Sequence, residues 1–172
     1  MKLYFNCSLL KKLVRSQLNL LLSSKFQLCN VDVKSCGKDK CKQIVNPMTF
    51  TSGQSLAKFK LLRSIERSLS IQFNMRTVWS SGVILETSGQ VDYARLELEQ
   101  GKVYFRFNFG TGEGIVMINS IAVNDGHWHQ VNIERHGNSA KLLIDNKYEA
   151  QGSAPGKLLF SCMQHLVFRA KF

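Results

Sequence analysis

The chain has 172 residues, 44% of them apolar, with only 2 prolines and 12 glycines, a balance that supports one cored domain with appendages and excludes a low-complexity chain. Its formal net charge of +11 is uneven: residues 1–60 carry 11 Lys/Arg and 2 Asp/Glu, a balance of +9, against +2 for residues 61–172. No apolar run approaches the ~20 residues that cross a bilayer, so no transmembrane span is expected within it.

Residues 1–28 read as an amphipathic helical segment. Leu10, Leu13, Val14, Leu18 and Leu21 share a face, with Lys11, Lys12 and Arg15 largely off it. The same lysines and arginine interrupt the apolar run that a signal peptide needs. Such a stripe either packs in a core, here or in a neighbouring domain, or lies on a membrane surface. A basic leader of this kind also suits anionic glycans or lipid head groups. Nucleic acid is not expected, because the leader is poor in aromatics and has no stacking or groove-reading motif. Asn6-Cys7-Ser8 is a weak glycosylation pattern.

Residues 29–46 read as a cysteine-rich linker or module stub. Cys29, Cys36 and Cys41 cluster there, with Cys7 before and Cys162 far after. In an extracellular setting these form disulfides, and the odd count leaves one thiol over. Zinc is the competing reading, disfavoured because no Cys-x2-Cys pair and no nearby histidine is present.

Asn46-Pro47 marks the entry to a sandwich that runs over residues 47–156. Phe50 and the run Leu56 to Leu61 read as edge strands, with Lys58 and Lys60 discouraging edge pairing. From Leu69 onward short strands recur at about 8–12 residues, as in an all-β sandwich or barrel. Their buried faces are expected to hold Ile71, Phe73 and Met75, then Leu96 and Leu98, then Phe105, Phe107 and Phe109. Asp125-Gly126 opens a strand in which Val131 and Ile133 alternate with Asn132 and Glu134. Gly137-Asn138 reverses it, and Leu142 and Ile144 resume the pattern.

Asp125-Gly126-His127-Trp128-His129-Gln130-Val131-Asn132-Ile133-Glu134-Arg135, the Gly turn, and Ala140 to Asp145 resemble a laminin G-like domain. So do Arg76-Thr77 with Gly82-Val83-Ile84-Leu85, and Asp92-Tyr93 with Leu96-Glu97-Leu98. Gly112-Glu113-Gly114 and Gln151 to Gly156 are most similar to the variant in giant cadherins of the Fat and neural-cadherin type. The resemblance covers residues 47–156 and implies an all-β, concanavalin-like jelly-roll sandwich, here preceded by a short N-terminal helix and a cysteine-bearing linker. It implies an extracellular, non-enzymatic adhesion module of a plasma-membrane protein. A cell-surface or matrix protein would be its partner, homophilic through a parent cadherin or otherwise, or an anionic glycan. Ligand loops would lie around Asp92, Gly112, Glu113, Asn124 and Asp125. In the family Trp128 fills the core and His129 is structural. Calcium would sit on Asp92 and the carbonyl of Phe109, while the later loop, Phe160 to Met163 here, lacks the usual Asn or Asp. Residues 157–172 depart from the family pattern and read as an atypical tail of a truncated domain, which would leave Phe105, Phe107 and Phe109 partly uncovered.

Catalytic readings fare poorly. No Gly-x-Ser-x-Gly elbow occurs, and Gly110-x-Gly112-x-Gly114 lacks nucleotide-loop spacing. His127, His129 and His136 would need a carboxylate base and a cleft to work as a zinc site. Glu97 and Glu99 share one strand face, as a glycan hydrolase requires of its two carboxylates, but that face should be the wet outer one.

Overall fold

The computed structural model describes residues 1–5, 48–50, 55–60, 68–88, 92–110, 112–155 and 165–171. Among these the elements are all strands: β1 Lys2–Phe5, β2 Met48–Thr49, β3 Leu56–Lys60, β4 Ser68–Arg76, β5 Gly82–Ser88 and β6 Tyr93–Glu99. They continue with β7 Lys102–Asn108, β8 Glu113–Ile118, β9 His129–His136, β10 Ser139–Ile144, β11 Tyr148–Ser153 and β12 His165–Lys171. They form two antiparallel six-stranded sheets, β11-β10-β9-β4-β1-β2 and β3-β12-β5-β6-β7-β8.

Period-two alternation accounts for the sandwich. Leu69, Ile71, Phe73 and Met75 of β4 point inward, and their alternates Ser70, Gln72 and Asn74 point out. Phe105 and Phe107 of β7, and Phe109 just past it, are buried beside Leu96 and Leu98 of β6. The two sheets meet through these faces: the Phe73 ring lies edge-on to Phe168 with centroids 5.5 Å apart. A register shift between Val83 and Leu85 lets β5 bury two successive residues, Ile84 and Leu85.

Tight turns set the registers. Gln100 and Gly101 both take positive φ, 52° and 77°, the pattern of a two-residue type I′ hairpin. The pairing therefore runs without slip from Glu99↔Lys102 to Tyr93↔Asn108. Gly137, with φ of 59°, does the same service between β9 and β10.

Three expectations change. Lys2–Phe5 is not helical but pairs with the edge of β4, Lys2 opposite Arg76 and Phe5 opposite Phe73. That pairing satisfies backbone groups that a four-residue helix would leave open. Beside it, the Met1 ammonium donates to the Phe50 carbonyl at 3.0 Å. The Leu10–Leu21 stripe, the five cysteines and the loop Phe160 to Met163 lie outside the described residues. At the other terminus the sandwich does not stop at residue 156. His165–Lys171 inserts between β3 and β5, with Leu166 and Phe168 buried and Val167 and Arg169 on the outer parity, whatever their family pattern. Phe105, Phe107 and Phe109 are accordingly covered, at 3% exposure or less.

Candidate functional site

The hairpin register places Asp92 and Phe109 as the next residues beyond the Tyr93↔Asn108 pair, one on each strand at the same end of the sandwich. The loop that follows is built by Asn108, whose Oδ1 accepts from the N–H groups of Gly110 at 3.0 Å and Gly112 at 3.4 Å. Gly112 has φ of 138°, and a Cβ there would stand 2.5 Å from Pro155 Cγ, so only glycine lets the two loops meet. Glu113 opens β8 at this end and accepts a hydrogen bond from the Tyr93 hydroxyl. Burial, then that carboxylate, push the phenol up to about 12. The Phe109 ring is buried beneath the guanidinium of Arg135, 3.9 Å from its centroid.

Asn124 and Asp125 are at the opposite end. They lie in the β8–β9 connection, which closes on the β6–β7 turn: Val123 N–H donates to the Gly101 carbonyl at 2.9 Å. A Cβ on Gly101 would lie 2.2 Å from Asn124 Oδ1. Seven residues of β7 separate the two ends, about 20 Å at the usual strand rise. The five expected ligand-loop residues therefore divide into two rims, Asp92, Gly112 and Glu113 on one and Asn124 and Asp125 on the other.

At this second rim His129 is buried between two carboxylates, Nδ1 2.8 Å from Asp145 Oδ2 and Nε2 3.1 Å from Asp125 Oδ1. Asp145 also accepts from the Gln130 N–H at 2.8 Å. Burial works against the imidazolium, but Asp145 and Asp125 together outweigh it and raise its pKa. The His127 N–H, then His129, pull the Asp125 carboxyl down to about 2. His127 is exposed and His136 sits at the far end of β9, so the three histidines do not converge. Among the described residues no cluster of three or more His, Cys, Asp or Glu is placed to hold a metal ion. Trp128 is about half exposed rather than part of the core: β9 begins at His129, whose ring takes the inward place.

Glu97 and Glu99 do share the outer face of β6, and both receive N–H groups from Arg106, Nε to Glu97 and Nη2 to Glu99 at 2.7 Å. Hydrogen bonding to Glu99, then to Glu97, raises the guanidinium pKa against the cost of its burial. Two carboxylates held by one cation are poorly arranged for a hydrolase, in which one carboxyl must give up a proton.

A family model for the laminin G domain matches residues 75–168, more than half of the chain. The chain belongs to the laminin G domain family. The laminin G match takes in β5 to β11 and reaches into β12, with both rims. The Drosophila melanogaster Fat-like cadherin-related tumor suppressor homolog is 43% identical over 109 residues, 60% of this chain and 2% of that protein. Human Protocadherin Fat 1 is 37% identical over 122 residues, 70% of this chain and 3% of that protein. The chain thus spans only a few hundredths of the length of these relatives. Domains LG4-5 of the mouse laminin alpha1 chain superpose with a TM-score of 0.63 at 29% identity, covering 68% of this chain and 32% of that one.

Within this laminin G domain, sequence reasoning passed over Arg135 and the Val78-Trp79 loop. Arg135 had a signal: it has the inward parity of Val131 and Ile133 in β9. Val78 and Trp79 had none beyond being apolar beside a turn.

Proposed function

We propose that this chain is an extracellular binding module of a cadherin-type adhesion protein. In this reading the Asp92 rim meets a cell-surface or matrix protein, or an anionic glycan, and the contact depends on calcium. Laminin G domains are generally binding modules without chemistry of their own, and the relatives include two Fat-type cadherins. Among the described residues no helix is long and apolar enough to cross a membrane.

The observation that carries the reading is the juxtaposition of Asp92 with Phe109 at the open end of the β6–β7 hairpin. A carboxylate beside a backbone carbonyl is the hard-oxygen chemistry that suits calcium. The donor set is small. Asn108 is spent on the Gly110 and Gly112 N–H groups, and Glu113 on Tyr93. Two protein donors with water completing the shell correspond to the weak class of extracellular sites, with Kd of about 10⁻⁴–10⁻³ M. Calorimetric titration of the whole chain with calcium tests this. Binding in that range that vanishes in Asp92→Asn supports it; no heat, or an unchanged titration in Asp92→Asn, removes calcium from the site.

A further inference from the structure

Both tryptophans of the chain stand at the rim opposite Asp92, Trp79 at 49% exposure and Trp128 at 43%, with Val78 at 71%. A lone exposed apolar residue needs no explanation, but a cluster of the largest ones at one place does. The loop that carries Val78 and Trp79 is fixed by its backbone. Thr77 is buried, its Oγ1 accepts from the Trp79 N–H at 3.0 Å, and its carbonyl accepts from the Gly126 N–H at 3.0 Å. Gly126 lies close enough to Val78 that a Cβ there would be 3.5 Å from Cγ1. The Ser80 carbonyl takes the Gly101 N–H at 2.6 Å, tying the same loop to the β6–β7 turn.

A cation stands beside this cluster. The Arg76 guanidinium lies 5.8 Å from the Trp128 ring centroid, and among the described residues no carboxylate forms an ion pair with it. Asp125, the acid of the adjoining loop, is turned to its own neighbours: it accepts from the His127 N–H at 2.8 Å and faces His127 Nδ1 at 3.3 Å and His129 Nε2 at 3.1 Å. The rim thus offers two indoles, an aliphatic tip and a guanidinium.

We propose that this rim docks on a phospholipid surface, with Val78, Trp79 and Trp128 entering the headgroup region and Arg76 on lipid phosphate. Indoles favour the boundary between hydrocarbon and water. A guanidinium is suited to phosphate oxygens, and the cation–π contact with the Trp128 indole keeps it at this rim. A saccharide fits less well, because Val78, the most exposed of the three, would desolvate hydroxyls and return no hydrogen bond. The surface lies at the other end of the sandwich from Asp92 and does not depend on the calcium reading.

The test uses the whole chain and vesicles of phosphatidylcholine with phosphatidylserine, some carrying brominated acyl chains. The leader, at +9 over residues 1–60, can itself attract anionic vesicles, so sedimentation alone decides nothing. Contact quenching of indole by bromine does, since the only two tryptophans report on this rim. The expected result is a blue shift and bromine quenching that persist in EDTA and in Ile115→Asp, which alters an exposed apolar residue on β8. Val78→Asp, a change at an exposed site with both indoles kept, should abolish both signals. Arg76→Gln should weaken binding about fivefold, the usual worth of one basic residue at an anionic surface. Sedimentation without quenching, quenching unchanged in Val78→Asp, or quenching lost in EDTA overturns the proposal. So does an emission shift produced by a heparin-derived oligosaccharide with no quenching by vesicles.

Discussion

The guanidinium of Arg135, on β9, lies 3.9 Å from the ring centroid of Phe109, at the end of β7 in the facing sheet. Its Nη1 donates to the Gly137 carbonyl at 2.7 Å, so one buried side chain links the β9–β10 turn to the strand end that offers the Phe109 carbonyl. Burial lowers its pKa, the mark of a cation held at a cost. Lysine cannot reproduce a planar cation over the ring and the Nη1 bond together. Arg135→Lys should therefore lose about 1–3 kcal/mol, read as a lower urea midpoint with unchanged m-value. A midpoint equal to that of the parent would mean that the stack adds nothing to a simple positive charge.

The clamp of His129 between Asp145 and Asp125 makes stability depend on pH. The folded pKa of His129 is raised, so its contribution is full below the ordinary value of about 6.5 and is lost as pH rises through the folded value. Asp125 is lowered from 3.8 to about 2, so its contribution is present above 3.8 and is lost as pH falls toward 2. Melting temperature should thus fall as pH rises from 6 through the folded value of His129. His129→Gln should be less stable at pH 6 and show a flatter profile over that range. An identical slope in His129→Gln would place the titration elsewhere.

What the chain's sequence made legible was parity. Ile71, Phe73, Met75, Leu96, Leu98, Phe105 and Phe107 needed only a period of two to be placed inward, and all are buried. Where parity conflicted with a family expectation, parity prevailed: Trp128 lies outside because β9 starts one residue later, and Leu166 and Phe168 lie inside. The candidate site was harder to read. Pairing Asp92 with Phe109 requires the β6–β7 register, which the turn at Gln100-Gly101 sets. Separating Asn124 and Asp125 from them requires the strand directions, which a catalogue of loops omits. Arg135 followed the inward parity, but its charge argued against burial until its partners, Phe109 and the Gly137 carbonyl, were placed.

Gly114 is where the edges of the two sheets close on each other. A Cβ there would meet Phe107 Cζ at 2.6 Å and the Ala154 backbone nitrogen at 2.8 Å. Phe107 is packed on both sides in the core, by Phe105 at 5.4 Å and Phe109 at 6.1 Å between centroids, so it has little room to give. Ala154 is pinned by its N–H bond to the Asn138 carbonyl at 2.8 Å. Gly114→Ala should cost about 1–3 kcal/mol by overpacking. Chemical denaturation reads this directly, and a cost below about 0.5 kcal/mol, the usual range for surface changes, would show that the β8 and β11 edges part freely.

Phe168 tests whether β12 belongs to the core. It is fully buried, pairs in register with Ala57 of β3 and Leu85 of β5, and meets Phe73 of the opposite sheet edge-on at 82°. Removing a buried phenyl ring costs about 3–5 kcal/mol, a large share of the ~5–15 kcal/mol that holds a domain together. Phe168→Ala should therefore unfold at much lower denaturant, while Val167→Ala, on the outer parity of the same strand, should change little. The Phe73→Ala, Phe168→Ala pair should cost less than the sum of the single changes, because the two rings share one contact. If Phe168→Ala unfolds with its midpoint unmoved, His165–Lys171 is not the strand that covers this part of the core.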